Sequence, residues 1–223
     1  MSKGTPVDAF ACETAVQPAP GKLPVTLPAT LEGPWQFGPV TVWRRAHVPG
    51  ERGEPQARQV LAAALGGDPL ALPLLRDPRG RPELVGALQH YGTGWSHSGD
   101  VLLVALGEGV RLGVDLELLR PRPRLLEIVR RFFHPAEIAW LEGLPDDERE
   151  HWFFRVWCAK EAVLKAHGQG ISFGLHRLQL IPSHDGTLRL AWCDTALGNA
   201  ARWHLHEWQA SDTFRAALAW HHC

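Results

Sequence analysis

The chain has 223 residues, of which 45% are hydrophobic and 21% charged, with a formal net charge of −1. That composition is globular, and it argues against a disordered polymer, a basic nucleic-acid-binding domain or a protein drawn to anionic lipid by its net charge. No apolar run approaches the roughly 20 residues that cross a bilayer, so the sequence predicts one large domain or two small ones with an apolar core and no membrane span.

Residues 1–32 hold five prolines and few periodic apolar positions, and read as a tail that drapes over the body. The first residues show no signal-peptide core. Cys12, Cys158, Cys193 and Cys223 have no CxxC spacing, so free thiols in a reducing cytoplasm are expected. From Trp35 to Val48 the pattern is extended. Glu54 to Leu65 reads as a helix, with Val60, Leu61 and Leu65 on one side and Gly66-Gly67 as its stop. Leu70 to Leu75 is short and apolar, and Arg76 to Pro82 is a basic, turn-rich loop. Val101 to Leu106 reads as a buried strand, preceded by Trp95 to Asp100, for which a plain turn is one reading.

A second half begins near residue 110. Arg111 to Leu116 is predicted as a strand and Arg124 to Phe133 as a helix. His134-Pro135 restarts a helix that runs through Glu137 to Leu141, and Gly143 and Pro145 break it. The longest helix is predicted over Asp146 to His167, ended by Gly168 and Gly170. Leu178–Ile181, Leu188–Trp192, Trp203–Trp208 and Phe214–Trp220 are strand patterns, expected to pair as antiparallel hairpins. The fold class is α+β: two similar-sized, pseudo-duplicated lobes, each with helices on a mainly antiparallel sheet. The expected division is a tail over 1–32, an N-terminal lobe over 33–110 and a C-terminal lobe over 111–223.

Three segments carry chemistry. In Gly113-Val114-Asp115-Leu116-Glu117, residues two apart share one face of a strand, so Asp115 and Glu117 project together. Paired carboxylates suit a hard cation such as Mg²⁺, although alone a solvated acidic face is the simpler explanation. In Trp157-Cys158-Ala159-Lys160-Glu161-Ala162-Val163-Leu164-Lys165, positions 157, 161 and 165 lie along one helical stripe. Glu161 can add a third carboxylate and Lys165 can reach a phosphate; by itself the pair also fits an ordinary Glu–Lys pair on a solvated helix. The basic residues are 19 arginines and four lysines, two of them Lys160 and Lys165. In Trp95-Ser96-His97-Ser98-Gly99-Asp100, His97 and the serine hydroxyls can contact phosphate. His204-x-His206 and His221-His222-Cys223 lack a second pair at metal-binding spacing and are read as surface histidines.

Taken together, Ser96-His97-Ser98-Gly99, Gly113-Val114-Asp115-Leu116-Glu117 and Trp157-x-x-Lys160-Glu161-Ala162-x-x-Lys165 resemble the larger, two-lobed class of 4′-phosphopantetheinyl transferases, the surfactin-synthetase-activating type. Arg131-Phe132-Phe133-His134-Pro135-Ala136-Glu137 and Gly168-Gln169-Gly170-Ile171-Ser172 are similar to two further segments of that family. The order and spacing cover residues 79–172. The resemblance implies transfer of 4′-phosphopantetheine from coenzyme A to a serine of an apo acyl or peptidyl carrier protein, releasing adenosine 3′,5′-bisphosphate. It implies Mg²⁺ on Asp115, Glu117 and Glu161, and Lys165 on the pyrophosphate; the chemistry of the transfer makes Glu161 the candidate base, directly or through a water. It places His97 at the 3′-phosphate end and Arg58 as an early coenzyme A arginine, with Arg81-Pro82 standing where the family has Lys-Pro. Ser96, Lys160 and Asp115 complete the candidate coenzyme A contacts. A monomer is expected, with no nucleic-acid or membrane partner. The rival functions are a non-catalytic carrier- or coenzyme A-binding protein and a Mg²⁺-dependent phosphohydrolase.

Overall fold

The computed structural model describes residues 34–223, and the predicted tail over 1–32 lies outside them. In chain order the first elements are β1 (Trp35–Phe37), β2 (Val40–Ala46), α1 (Glu54–Leu65), β3 (Leu74–Arg76), β4 (Pro82–Leu84), β5 (Tyr91–Ser98) and β6 (Val101–Glu108). They are followed by β7 (Val110–Leu118), α2 (Leu125–Phe132), α3 (Pro135–Glu142) and α4 (Asp146–His167). The chain ends with β8 (Leu178–Pro182), β9 (Leu188–Cys193), β10 (His204–Ser211) and β11 (Phe214–His222).

Strands with runs of consecutive apolar residues need burial on both faces, and the layering supplies it. In β6, Leu102, Val104 and Leu106 pack beneath α1, while Val101, Leu103 and Ala105 face a second sheet. In β11, Ala216, Leu218 and Trp220 meet that same central core, while Ala217 and Ala219 pack towards α4. The order of layers is therefore α1, a sheet β1-β2-β6-β5, a sheet β10-β11-β7, and then α4 with α2, α3 and the hairpin β8-β9. Every strand pair is antiparallel, as predicted. The first sheet is built before Gly109 and the second after it.

Helix α1 and helix α4 occupy the ranges their sequence signals predict. Gly168 closes α4 with φ 90°, a left-handed conformation that glycine adopts at low cost. Pro135 and the His134/Glu137 capping box account for the predicted helix restart at α3.

The sequence reading missed β5. Its sequence, Tyr-Gly-Thr-Gly-Trp-Ser-His-Ser, looks like a turn, yet it pairs with β6 along its whole length. The glycines serve another purpose. A Cβ on Gly92 would lie 2.1 Å from the Val110 carbonyl oxygen, so no other residue lets β5 approach β7 this closely. From there the two edge strands run side by side in the same direction. Gly94 lies against Leu112, Ser96 bonds Asp115, and Ser98 bonds the Leu118 amide. The basic loop after Leu75 is likewise more ordered than expected, as the turn of the hairpin β3-β4.

Candidate active site

The seam between β5 and β7 becomes a site where α4 lies across it. On β7, Leu112, Val114 and Leu116 enter the central core, which turns Gly113, Asp115 and Glu117 towards α4. A Cβ on Gly113 would lie 2.3 Å from both the Ala162 carbonyl oxygen and the Ala166 amide nitrogen. Helix backbone therefore rests directly on strand backbone at that point. Glu161 and Lys165 immediately precede the two contact residues, Ala162 and Ala166, and are thereby delivered beside Asp115.

The stripe Trp157, Glu161, Lys165 faces β7, as its four-residue spacing predicts. Trp157 Nε1 donates to Glu117 Oε1 at 3.0 Å, and Arg122 lies 3.5 Å from the other oxygen of Glu117. Lys165 Nζ donates to Asp115 Oδ1 at 2.6 Å and to Ser96 Oγ at 2.9 Å. Ser96 donates in turn to Asp115 Oδ1 at 3.1 Å.

Burial pushes the Glu161 carboxyl up to about 7, and the charge of Asp115 adds to the effect. Burial and Asp115 raise Glu117 as well. Burial alone would lower Lys165, but Asp115 outweighs it and the ammonium is held above its ordinary range. Two carboxylate oxygens here, Asp115 Oδ2 and Glu161 Oε1, are buried with no partner. Crowded, unsatisfied carboxylates are the donor set a hard divalent cation takes, so these residues fit Mg²⁺. Among the described residues, however, no three such side chains already converge as a ligand set, contrary to the expectation of one common point. Lys165, paired to Asp115, neutralises part of the charge a cation would meet.

Beside this cluster lies a cleft of about 210 Å³, lined by Arg76, Arg79, Arg81, Trp95, Gly113 and Lys165 among others. Its wall is basic and its floor is the seam. Arg81 lines it, with its guanidinium 2.9 Å from Glu83. Arg76, Arg79 and Trp95 were not singled out from the sequence. Arg76 and Arg79 sit in or beside a loop whose proline and glycine signal turn geometry alone, and Trp95 is oriented by the unrecognised strand. The Arg76 guanidinium stands over the Trp95 ring, 5.1 Å from its centroid, and Glu54 holds it there at 2.7 and 3.0 Å.

Three predicted contacts need correction. Lys160 is fully buried, and its ammonium is used by Glu137 at 2.8 Å and by the carbonyls of Leu175 and Leu178 at 2.7 and 2.5 Å. It points about 100° away from Glu161 on the helix and cannot meet a ligand in the cleft. Arg58 donates to Glu54 and to the carbonyls of Leu72 and Leu74, which ties the chain before β3 to α1. Its guanidinium supports the cleft through Glu54 and Arg76 and does not line it. Ser96 is buried, with its hydroxyl committed to Asp115 and Lys165 instead of facing a phosphate. His97 is exposed beside Trp95, at the α1 side of the cleft.

A family model described as the 4′-phosphopantetheinyl transferase superfamily matches residues 111–219, from β7 into β11. A putative 4′-phosphopantetheinyl transferase of Synechocystis is 35% identical over 172 residues, covering 73% of this chain and 68% of that protein. The 4′-phosphopantetheinyl transferase HetI of Nostoc is 38% identical over 117 residues, 52% of this chain and 49% of HetI. Among solved structures, a holo-ACP-synthase from Plasmodium yoelii aligns with 51% of this chain and 97% of its own, at 17% identity and a TM-score of 0.37. The Synechocystis relative extends the likeness well upstream of the family model, and the chain belongs to the 4′-phosphopantetheinyl transferase superfamily, enzymes that transfer phosphopantetheine to carrier proteins.

Proposed function

We propose that the chain transfers 4′-phosphopantetheine from coenzyme A to a serine of an apo acyl or peptidyl carrier protein, with the reaction centred on Asp115, Glu117, Glu161 and Lys165. The observation that carries this reading is Lys165 at the wall of a cleft lined by three arginines, bonded to Asp115 at 2.6 Å and beside the raised carboxyl of Glu161. In this reading residues 33–110 and 111–223 act as two lobes. The first supplies the basic wall, and the second supplies the acidic strand and the helix that crosses it.

Asp115, Glu117 and Glu161 would hold Mg²⁺, which when bound supplies charge neutralisation at the pyrophosphate. The remaining chemistry belongs to the chain. The arginines hold the phosphates of coenzyme A in the cleft. Glu161, whose carboxyl near neutrality is divided between acid and carboxylate, takes the proton of the carrier serine. The serine oxygen forms its bond to the phosphorus on the pantetheine side, and the opposite phosphorus–oxygen bond breaks. The leaving adenosine 3′,5′-bisphosphate keeps the electron pair, and the Lys165 ammonium stabilises that charge. Asp115 and Ser96 aim the ammonium, which is why its pairing with Asp115 serves the reaction.

The test is the intact mass of a purified apo-carrier after incubation with the protein, coenzyme A and Mg²⁺. A gain of one phosphopantetheine group is expected. Hydrolysis of coenzyme A with no gain in carrier mass would instead point to a phosphohydrolase.

A further inference from the structure

His47 follows β2 directly, is 3% exposed and takes no part in the chemistry above. Its backbone amide donates to the Asp100 carbonyl at 2.7 Å. Gln56, in the first turn of α1, donates its side-chain amide to the Ala46 carbonyl at 2.8 Å. Its oxygen therefore faces His47 Nδ1, 2.9 Å away, and can only accept. That places a proton on Nδ1, and Nε2 is buried without a partner.

Against this ring lies His97, with centroids 4.4 Å apart and planes inclined by 35°. His97 also meets the start of α1, where a Cβ on Gly53 would be 3.3 Å from His97 Cδ2. His97 thus touches both the helix start and the imidazole while remaining open to solvent.

We propose that His47 is a positioning residue for His97: a fixed ring that holds His97 so that its exposed edge meets a phosphate of the nucleotide end of coenzyme A. This rests on the coenzyme A reading of the cleft. A tilted ring contact steadies the imidazole of His97 without occupying its outer edge. The aromatic face, and not the bond to Gln56, is the part that matters.

Two substitutions separate those parts. His47→Phe keeps an aromatic ring and loses the bond to Gln56, whereas His47→Asn keeps a donor for Gln56 and loses the ring. Binding of adenosine 3′,5′-bisphosphate is measured by calorimetry, beside kcat and KM for coenzyme A and thermal unfolding of each variant. We expect His97→Ala to weaken the bisphosphate about tenfold, the loss of a hydrogen bond to a charged group. His47→Ala and His47→Asn should weaken it about fivefold, on the scale of one aromatic contact, with kcat at saturating coenzyme A held within about twofold. His47→Phe should bind within about twofold of wild type, and the His47→Ala/His97→Ala double variant no more weakly than His97→Ala alone, as for two residues acting through one contact. Wild-type binding by His47→Ala, additive losses in the double variant, or a normal Asn variant beside a weak Phe variant would each overturn the proposal. If His97→Ala binds as wild type, His97 leaves the coenzyme A site and the proposal falls with it. Loss of carrier modification in the mass experiment is the separate failure that would sink the reaction itself.

Discussion

Lys165 and Lys160 stand five residues apart on α4, and their surroundings assign them opposite roles. Lys165→Ala removes an ammonium aimed by Asp115 and Ser96, so single-turnover rates should fall on the order of 10²–10³, as when one preorganised charge-stabilising donor is lost. Lys165→Arg should bind coenzyme A but turn over more slowly, because a planar guanidinium cannot share Asp115 and Ser96 as a compact ammonium does. Lys160→Met should leave the rate of the folded fraction nearly unchanged and reduce stability by about 3 kcal/mol or more. It strands the buried Glu137 carboxylate, which also caps α3 and receives the Leu180 amide. Urea unfolding beside single-turnover kinetics separates the two effects, and a larger rate loss at Lys160 would reverse the assignment. Glu161 gives a pH signature. Its folded-state carboxyl sits near 7 and the unfolded one near 4.5, so the native state binds more protons between those values. Stability in metal-free buffer should therefore fall as pH rises from about 4.5 through 7, where the carboxyl must ionise among like charges. Glu117 and Glu137, also raised, act in the same direction. Mg²⁺ should reduce the fall, and Glu161→Gln should flatten the profile of Tm against pH. An identical slope in wild type and variant would remove Glu161 as the cause.

At the scale of elements, everything in the site depends on how closely α4 approaches β7. Gly113 permits it, and its Cα–H faces helix backbone instead of a flexible side chain that can move aside. Gly113→Ala should therefore push α4 away, with a stability cost of about 1–3 kcal/mol or somewhat more. It should also lower kcat, because Glu161 and Lys165 move with the helix while Asp115 stays on the strand. Chemical unfolding and kinetics on the one variant check both, and normal activity in a destabilised protein would show that the site tolerates a shifted helix. Four-residue spacing on the helix and two-residue spacing on the strand were legible from the sequence, since both follow from local backbone geometry. The approach of the two elements was not. Glycine reads equally as a turn signal or as a contact point, and the partner across the contact is about 50 residues away.

For the whole molecule, the cleft lies along the edges of two sheets that share one core. Coenzyme A bound there would engage the arginine-bearing hairpin β3-β4 of one half and Lys165 of the other, so binding should stabilise both halves as one unit. At about one hundred times its dissociation constant the ligand should add about 2.7 kcal/mol of apparent stability, seen as a single raised unfolding transition. Arg81→Glu should weaken that shift, because it places a carboxylate in the cleft beside Glu83. Two separate transitions, with one insensitive to coenzyme A, would show that the ligand contacts a single half.

Sequence alone determined the elements whose signals are local: α1 and α4 with their stops, the doubly buried β6, and the facing pairs Asp115/Glu117 and Glu161/Lys165. It also carried the family likeness, because those residues recur in order. The tertiary structure decided which residues of similar chemistry are free to act. Lys160 and Lys165 look alike on a helix, as do Arg58, Arg76 and Arg81 in the first half, and only long-range packing distinguishes them. Lys160 and Arg58 are spent on buried carboxylate and backbone carbonyls, whereas Lys165, Arg76 and Arg81 reach the cleft. Ser96 and His97 are neighbours on β5, yet the strand's alternation sends one into the carboxylate network and the other towards solvent. A side chain's partners are set by the fold's non-local contacts, and those contacts, not residue type, fix which charges remain for a ligand.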